Sequence, residues 1–402
     1  MTVGQDVSEI RPATWPRSIQ LVVLAIVAFY VFSLGYGFLW DDQFEMQRTW
    51  ASAAARIFEH PRPVYYLFLE VTNSLFDQAW PYRLTKLLLF AVILVQAARL
   101  VLKYDAAFPA LAVGAAFLHP TFVYPVTWIA MSDDLLVICF TLLTVLNVDR
   151  TRGFWYLILS DLSKAPFVLH DLWYIGRRWH GNRVQALAAL IIPFGLLLIY
   201  LLFWFQIDTV ATSPMAHLTA DGPLALLFTL AVRGLKLLEA IVLCHMPFEG
   251  YWGAVPTPVL LLIVAAYLGA WFVLLRSVFT RPPRNSMWWQ LLLIGLLEAL
   301  PFAINSDPRV LGPAIPFFVL GWFLAVQPSR ATGIAAAVLV ALNLGGAALN
   351  YHLSDTGAMT FDDVPEYKLC GDYEMQIPME RWRCERSRLA QSIVAAINDR
   401  LS

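Results

Sequence analysis

Apolar stretches close to the length of a membrane span recur along the chain, separated by short polar segments. A helix needs about 20 consecutive apolar residues to cross the roughly 30 Å hydrocarbon core of a bilayer. The pattern therefore predicts an all-α, polytopic membrane protein. The predicted membrane helices lie at about 18–39, 84–102, 107–119, 132–148, 185–207, 256–276, 287–303, 310–326 and 331–350.

Two shorter apolar segments, at about 153–162 and 165–176, lie around a polar step that contains Asp161, Lys164 and a proline. Proline together with buried charge favours a helix that is broken inside the membrane and lines a cavity. With this broken pair the sequence predicts about 11 transmembrane helices, which form one domain over residues 1–350.

The segment between the first two spans, 40–83, is helical in pattern. Apolar residues recur at helical spacing near 46–57 and near 64–75, which predicts two amphipathic helices on the membrane surface. Residues 351–402 form a small soluble segment at the C-terminal end, too short for much of a core of its own.

Composition supports the membrane class. Of the 402 residues, 59% are hydrophobic and only 14% are charged, whereas soluble domains carry about a quarter charged residues. The formal net charge of −1 argues against a basic surface for nucleic acid.

Lysine and arginine collect in alternate loops of the predicted topology, and such loops face the cytoplasm. The N-terminus is therefore predicted to be cytoplasmic and the C-terminal segment extracytoplasmic. Cys370 and Cys384 would then lie in a compartment where a disulfide between them can persist. The cations that define the cytoplasmic side are Arg11, Arg17, Lys103, Arg150, Arg152, Arg177, Arg178, Arg183, Arg276, Arg281, Arg284 and Arg330.

One further apolar segment, 223–243, contains Arg233, Lys236 and Glu239 within a single helical sector of about 120°. A crossing here would move every later loop to the other side and break the positive-inside pattern. The segment is therefore predicted to be amphipathic or re-entrant on the extracytoplasmic side. A spanning helix whose charges face a cavity is the alternative.

Adjacent carboxylates, Asp41 and Asp42, follow the first span in the sequence Trp-Asp-Asp-Gln-Phe-Glu. Carboxylates at a membrane boundary cost desolvation free energy, so chance seldom leaves them there. Either of them could also cap the N-terminus of the surface helix that follows.

The order of four motifs resembles the GT-C glycosyltransferases, which are integral membrane enzymes that use polyprenyl-phosphate sugars. The acids at 41–42 are followed by His-Pro-Arg-Pro at 60–63, by the step Ser163-Lys164, and by Arg309 before a proline-containing late span. Alanine stands at 165, where the family often has an acid. The chain is similar to the bacterial protein-mannosyltransferase and aminoarabinose-transferase superfamily.

The resemblance implies a GT-C fold in the bacterial inner (plasma) membrane and an inverting sugar transfer on its extracytoplasmic side. The donor would be a polyprenyl-phosphate sugar, and the acceptor a lipid-linked glycan, a cell-envelope polysaccharide or a protein. The expected partners are the donor, the acceptor and the lipid bilayer, with no nucleic acid. No cofactor is required by this chemistry, and a divalent metal ion is the open alternative.

The transfer chemistry gives these residues roles. Asp41 or Asp42 would be the general base that takes the proton of the acceptor hydroxyl. Cations would stabilise the phosphate leaving group, and Arg309, Lys164 and Arg62 are the candidates, Arg309 by its resemblance to the family.

Each of these cations also has a simpler interpretation. Arg62 could anchor a helix at the membrane interface or hold the two aspartates. Lys164 could pair with Asp161 and fix the helix break, and Arg309 could pair with Asp307.

Asp133 and His119, at the outer ends of their predicted spans, could contact the acceptor or, with Asp41 and Asp42, bind a divalent ion. Capping of the fourth span by Ser132 or Asp133 is the alternative. His245 and Glu249 are candidates for the acceptor side by their position alone.

A transporter or flippase of a polyprenyl-linked or amphipathic substrate is the alternative from another class, because it also has intramembrane charges and broken helices. It predicts charges along the depth of a pathway, whereas the candidate residues of this chain are predicted on one face. A membrane O-acyltransferase would need His119 or His245 as its reactive residue, and neither lies in a recognisable pattern.

Overall fold

The computed structural model of the chain is mostly helical, with no strand among the residues it describes. The helical part of the predicted fold class is therefore confirmed. The described residues are 15–35, 62–73, 79–127, 131–164, 170–207, 256–280, 283, 285–304 and 311–355, together with 231, 232, 234, 235 and 237.

The helices are numbered here in chain order. They are α1 (Arg17–Val31), α2 (Pro63–Asn73), α3 (Ala79–Lys103), α4 (Pro109–Phe117), α5 (Val123–Thr127), α6 (Ser132–Leu146), α7 (Thr151–Lys164), α8 (Asp171–Arg178), α9 (Arg183–Ile207), α10 (Thr257–Thr280), α11 (Met287–Ile304), α12 (Ala314–Ala325) and α13 (Arg330–Asp355). Short 3₁₀ helices follow α1 at Phe32–Gly35 and precede α5 at Pro120–Phe122.

Four stretches in the described part of the chain are long and apolar enough to cross a membrane: Arg17–Leu34, Trp80–Lys103, Leu261–Thr280 and Arg330–Leu349. The bent pair α4 and Pro120–Thr127 adds a fifth if it forms one span. These helices indicate a membrane protein. The count of eleven crossings and the GT-C arrangement stay predictions.

The predicted span at 107–119 corresponds to α4, with the end of the helix two residues earlier. α4 ends at Phe117, and the helical segment that starts at Pro120 is bent from it by 60°. The residue before a proline avoids the α region because of a clash with the proline ring. His119 accordingly has φ −60° and ψ 131°, an extended conformation. Pro120 thus ends the helix earlier than its apolar pattern predicts.

The predicted broken pair is present as two separate helices with shifted bounds. α7 continues to Lys164, through the polar step that was predicted to end it, and α8 begins only at Asp171. Residues 165–169 between them lie outside the described chain. Asp161 and Lys164 are therefore both on the last turns of α7.

α3 begins at Ala79, before the predicted start at 84. Pro81 is compatible with this start because a proline in the first turn of a helix removes no helical hydrogen bond. Arg83 therefore lies inside the helix together with Lys86, and both side chains are buried.

Contacts between helix ends define one end of the bundle, called here the basic end. Lys103 Nζ donates to the carbonyl of Leu146 at 3.3 Å, which joins the ends of α3 and α6. Asn285 donates to the carbonyl of Tyr104 at 2.8 Å, which adds the start of α11. Arg178 Nη1 lies 3.4 Å from the carbonyl of Asp149, which adds the end of α8. Cations predicted on one side of the membrane thus meet here, and its cytoplasmic orientation stays a prediction.

The opposite end of the bundle is called here the far end. α6 starts and α7 ends there, because these two helices form an antiparallel hairpin whose turn, 147–150, is at the basic end. α1 also ends on that side: Tyr30 Oη donates to the carbonyl of Phe117, the last residue of α4, at 3.4 Å. Ring contacts of Phe90 with Tyr30, at 5.2 Å between centroids, and with Phe122, at 5.6 Å, tie α3 into the same packing.

Several predictions concern residues outside the described chain. They are the first surface helix at 46–57, most of the segment 223–243, and the C-terminal segment after Asp355 with its disulfide between Cys370 and Cys384. The second surface helix, predicted near 64–75, corresponds to α2. Residues 231, 232, 234, 235 and 237 are helical, which does not distinguish a re-entrant helix from a spanning one.

Gly153, in the first turn of α7, allows the tight turn of the α6–α7 hairpin. A Cβ atom at this position would lie 2.8 Å from the carbonyl carbon of Asn147 and 3.3 Å from Cα of Val148. Both neighbours are backbone atoms, so the turn itself would have to move.

We expect Gly153→Ala to lower the stability of the protein by about 1–3 kcal/mol, the usual cost of overpacking. The midpoint of thermal unfolding in detergent measures this. Gly176→Ala in α8 is the matched control, because a Cβ there meets nothing within 4 Å. An equal midpoint for the two variants would contradict this account of the turn.

Candidate functional site

Four charged side chains meet at the far end and are called here the charge cluster: Arg62, Asp133, Asp134 and Lys164. Arg62 Nη1 donates to Asp133 Oδ2 at 2.8 Å. Lys164 Nζ forms an ion pair with Asp134 Oδ1 and lies 3.9 Å from Asp133 Oδ2. Asp133 is therefore shared by two cations that come from distant parts of the sequence.

The α6–α7 hairpin places three of these four groups. The two aspartates are in the first turn of α6, and Lys164 is the last residue of α7. Because the helices are antiparallel, these turns are adjacent. Acids at a helix N-terminus and a cation at a C-terminus also interact favourably with the helix dipoles. Arg62 enters from the residue before α2.

Exposure falls steadily across the cluster. The side chain of Arg62 is 23% exposed and that of Lys164 is 16% exposed, whereas Asp133 is 5% and Asp134 0% exposed. Asp134 Oδ2 has no hydrogen-bond partner within the described chain. The cluster thus has buried acids on its inner side and two cations closer to its accessible side.

Aromatic side chains border the cluster. Tyr65 and Tyr66, at the start of α2, pack with Tyr82 of α3 and Leu136 of α6 in a small apolar cluster of their own. The two neighbouring tyrosine rings are 5.4 Å apart between centroids. This packing fixes α2, and with it Arg62, against the hairpin that holds the aspartates.

Two further buried cations occupy the first turns of α3 at the same end of the bundle. Arg83 Nη1 donates to the carbonyl of Thr127, and Lys86 is fully buried. Sequence reasoning missed both: Arg83 precedes the predicted start of the span at 84, and Lys86, inside the predicted span, was not singled out. The signal was available: cations three residues apart lie on one face of a helix, and cations inside an apolar helix indicate function.

The structure brings together three of the residues that the sequence singled out: Arg62, Lys164 and Asp133. Lys164 pairs with Asp134, so the alternative partner, Asp161, is wrong. The capping interpretation of Asp133 is also wrong in its usual form, since the N-cap of α6 is Met131, which makes no side-chain cap. Asp133 Oδ1 does accept from the amide of Asp134 at 2.9 Å.

His119 is buried at the bend between α4 and α5, and its Nδ1 accepts from the amide of Thr121 at 3.3 Å. This bond caps the 3₁₀ helix that follows. Among the residues with described positions, no three His, Cys, Asp or Glu side chains are grouped so as to hold a metal ion. The remaining candidates lie outside the described chain: Asp41, Asp42, Arg309, His245 and Glu249.

A second polar cluster lies within the bundle, and sequence reasoning missed it. It consists of Asp161 on α7, His170 and Asp171 at the start of α8, and Glu298 on α11, all of them buried. Its signal in the sequence was weak: His170 and Asp171 are adjacent, but Glu298 lies more than a hundred residues further along the chain, and only the packing of α8 against α11 brings it to them.

Comparison with protein families, curated proteins and solved structures gives no match to this chain. The chemistry of the site is therefore argued from its own groups. Two cations held by two carboxylates near the surface of the bundle can bind an anion, because guanidinium and ammonium groups each donate several hydrogen bonds. A guanidinium in particular can bind a phosphate with two parallel hydrogen bonds.

We expect Lys164→Met to destabilise the protein by about 3–5 kcal/mol, because it leaves the buried Asp134 without its cation. The double variant Lys164→Met with Asp134→Asn should recover much of this loss, since neither charge remains. Thermal unfolding of the two single variants and the double variant measures the coupling. Additive losses would mean that the two residues do not interact.

Proposed function

We propose that the protein is an integral membrane glycosyltransferase that moves a sugar from a polyprenyl-phosphate donor to a glycan, lipid or protein acceptor. The observation that carries the proposal is the convergence of Arg62 and Lys164 on Asp133 at one end of the bundle. The enzyme would work on the extracytoplasmic side of a bacterial inner membrane, with the charge cluster as the site of the donor phosphate.

The charge balance of the cluster suits a phosphate that arrives and leaves. In the absence of donor, the aspartates compensate the two cations, so no bare charge faces the bilayer. A donor phosphate would accept hydrogen bonds from Arg62 and Lys164, which are the more accessible members. The same cations would stabilise the extra negative charge that develops as the polyprenyl phosphate leaves.

The proposed general base and the third phosphate ligand follow closely after two described helices that end towards the far end. Asp41 follows Gly35, the last described residue after α1, by six positions, which an extended chain spans in about 21 Å. Arg309 follows Ile304, the end of α11, by five positions. α1 ends at the far end, and α11 runs away from the basic end. Both residues therefore follow helices that end on the side of the bundle that holds the charge cluster.

The reaction would be a direct displacement with inversion. The acceptor hydroxyl oxygen attacks the anomeric carbon and gives its proton to Asp41 or Asp42, while the bond from that carbon to the phosphate oxygen breaks. The electron pair of that bond stays on the polyprenyl phosphate. His245 and Glu249 are proposed on the acceptor side. No resident cofactor is needed for these steps, and a divalent ion bound by the outer acids is the alternative.

A transporter of a polyprenyl-linked or amphipathic substrate is the second candidate. The buried cluster of Asp161, His170, Asp171 and Glu298 favours it, because ionisable groups inside a membrane bundle often mark ion or substrate pathways. Transport predicts that substrate crosses a liposome membrane without chemical turnover, so the two functions are distinguished in one reconstituted system.

We expect purified protein to transfer or slowly hydrolyse the sugar from one member of a panel of polyprenyl-phosphate monosaccharides. One of the two variants Asp41→Asn and Asp42→Asn should abolish turnover, since it removes the base. Lys164→Gln and Arg62→Gln should raise the KM for donor and lower kcat, because the same cations bind the phosphate and stabilise it as it leaves. Release of polyprenyl phosphate gives the rate. Asp149→Asn, at an exposed position of the basic end, is the control and should retain full activity.

Turnover that persists when both Asp41 and Asp42 are replaced by Asn would contradict the assignment of the base. Absence of turnover with every donor, together with movement of a donor across the liposome, would replace the glycosyltransferase by the transporter.

A further inference from the structure

The buried cluster of Asp161, His170, Asp171 and Glu298, called here the inner acid cluster, is not used by the proposed transfer reaction. None of the four residues is more than 3% exposed. They come from three helices and meet beside the break between α7 and α8. If all of them were ionised, three carboxyl groups and one imidazole would carry a net negative charge. An apolar interior strongly disfavours such a charge.

Two of the carboxyl groups face each other. Asp161 and Asp171 lie within hydrogen-bonding range of one another. No described side chain donates a hydrogen bond to any of their four carboxylate oxygens. Two ionised carboxylates only accept hydrogen bonds and repel each other. A cation must therefore lie between them if they stay together in this buried place.

The neighbouring imidazole does not supply that cation, because both of its nitrogens face other groups. His170 Nδ1 lies 2.6 Å from Glu298 Oε1, and its Nε2 lies 3.4 Å from Thr141 Oγ1 on α6. Thr141 is in turn 3.2 Å from Ser160 Oγ. His170 and Glu298 thus form one hydrogen-bonded pair. The imidazole attracts the carboxylate of Asp171, but within the described chain it makes no hydrogen bond to either aspartate. The two aspartates therefore form a second pair with no cation bonded to it.

The other groups near the pair do not compensate it either. Lys164, one turn further along α7, makes its ion pair with Asp134. Across the described chain no three His, Cys, Asp or Glu side chains have an arrangement suited to a metal ion. The cation that fits two neighbouring carboxyl groups with no such set of ligands is a proton, which one oxygen holds covalently while the other accepts it in a hydrogen bond.

We propose that Asp161 and Asp171 share one bound proton, so that the inner acid cluster is a proton-binding site inside the helix bundle. The shared proton joins the last turns of α7 to the first turn of α8 across the helix break. Its loss would leave two buried negative charges in contact and would push these helices apart. This inference rests on neither the glycosyltransferase nor the transporter, although a transporter would use such a site for a coupling ion.

Infrared spectroscopy of the full-length protein in detergent tests the proposal, because a protonated carboxyl group has a carbonyl stretch that carboxylates lack. We expect the wild type to keep such a band above neutral pH. Asp161→Asn and Asp171→Asn should each remove it while the fold is retained, since an Asn amide can donate to the remaining carboxylate in place of the proton. Asp149→Asn should leave the band unchanged.

The pH dependence of unfolding is a second, independent measurement. Near neutral pH the folded state keeps a proton that the carboxyl groups of the unfolded chain have already lost. The free energy of unfolding should therefore fall as pH rises. One such proton changes the unfolding equilibrium by about tenfold per pH unit. Asp161→Asn should lose this contribution to the pH dependence.

Three results would overturn the proposal: a wild type with no protonated-carboxyl band above neutral pH, a band that both Asn variants retain, or equal pH dependence of wild type and Asp161→Asn. Removal of the wild-type band by sodium or calcium ions at constant pH would instead assign the site to a metal cation.

Discussion

Compensation of buried charge is the constraint on which this structure depends. Neither lipid nor the apolar interior of a helix bundle solvates an ion. Each charged side chain within the bundle therefore needs a partner of opposite charge, or, if it is an acid, a bound proton that neutralises it. The α6–α7 hairpin provides the main solution. It sets Asp133 and Asp134 at one helix start against Lys164 at the neighbouring helix end. Gly153 makes the turn of this hairpin tight enough for that register.

Helix α7 connects the two polar regions of the molecule. Lys164, its last residue, belongs to the charge cluster, and Asp161, one turn earlier, belongs to the inner acid cluster. A change in the charge of the inner cluster would therefore act on the helix that holds a proposed phosphate ligand. Arg62 completes the outer cluster from α2, a short helix outside the hairpin, so the donor site would be built by packing rather than by one local motif.

Much of the helix pattern could be predicted from the sequence, because a helix in a bilayer must be apolar over its length and satisfy its own backbone. α13, Arg330–Asp355, thus falls close to the predicted 331–350. Boundaries set by local stereochemistry were less predictable, as the bend at His119–Pro120 shows. Partners were the least predictable feature: Lys164 with Asp134, and His170 with Glu298, depend on which helices become neighbours, and hydropathy does not contain that information.

An experimental structure with polyprenyl phosphate bound would test the central claim most directly, because this molecule is the product of the proposed transfer and carries the group the site is proposed to hold. The account predicts its phosphate within hydrogen-bonding distance of Lys164 and Arg62, with Asp41 or Asp42 facing the place of the departed sugar. A phosphate bound elsewhere, with the ion pairs of Asp133 and Asp134 unchanged, would contradict the assignment of the charge cluster as the donor site.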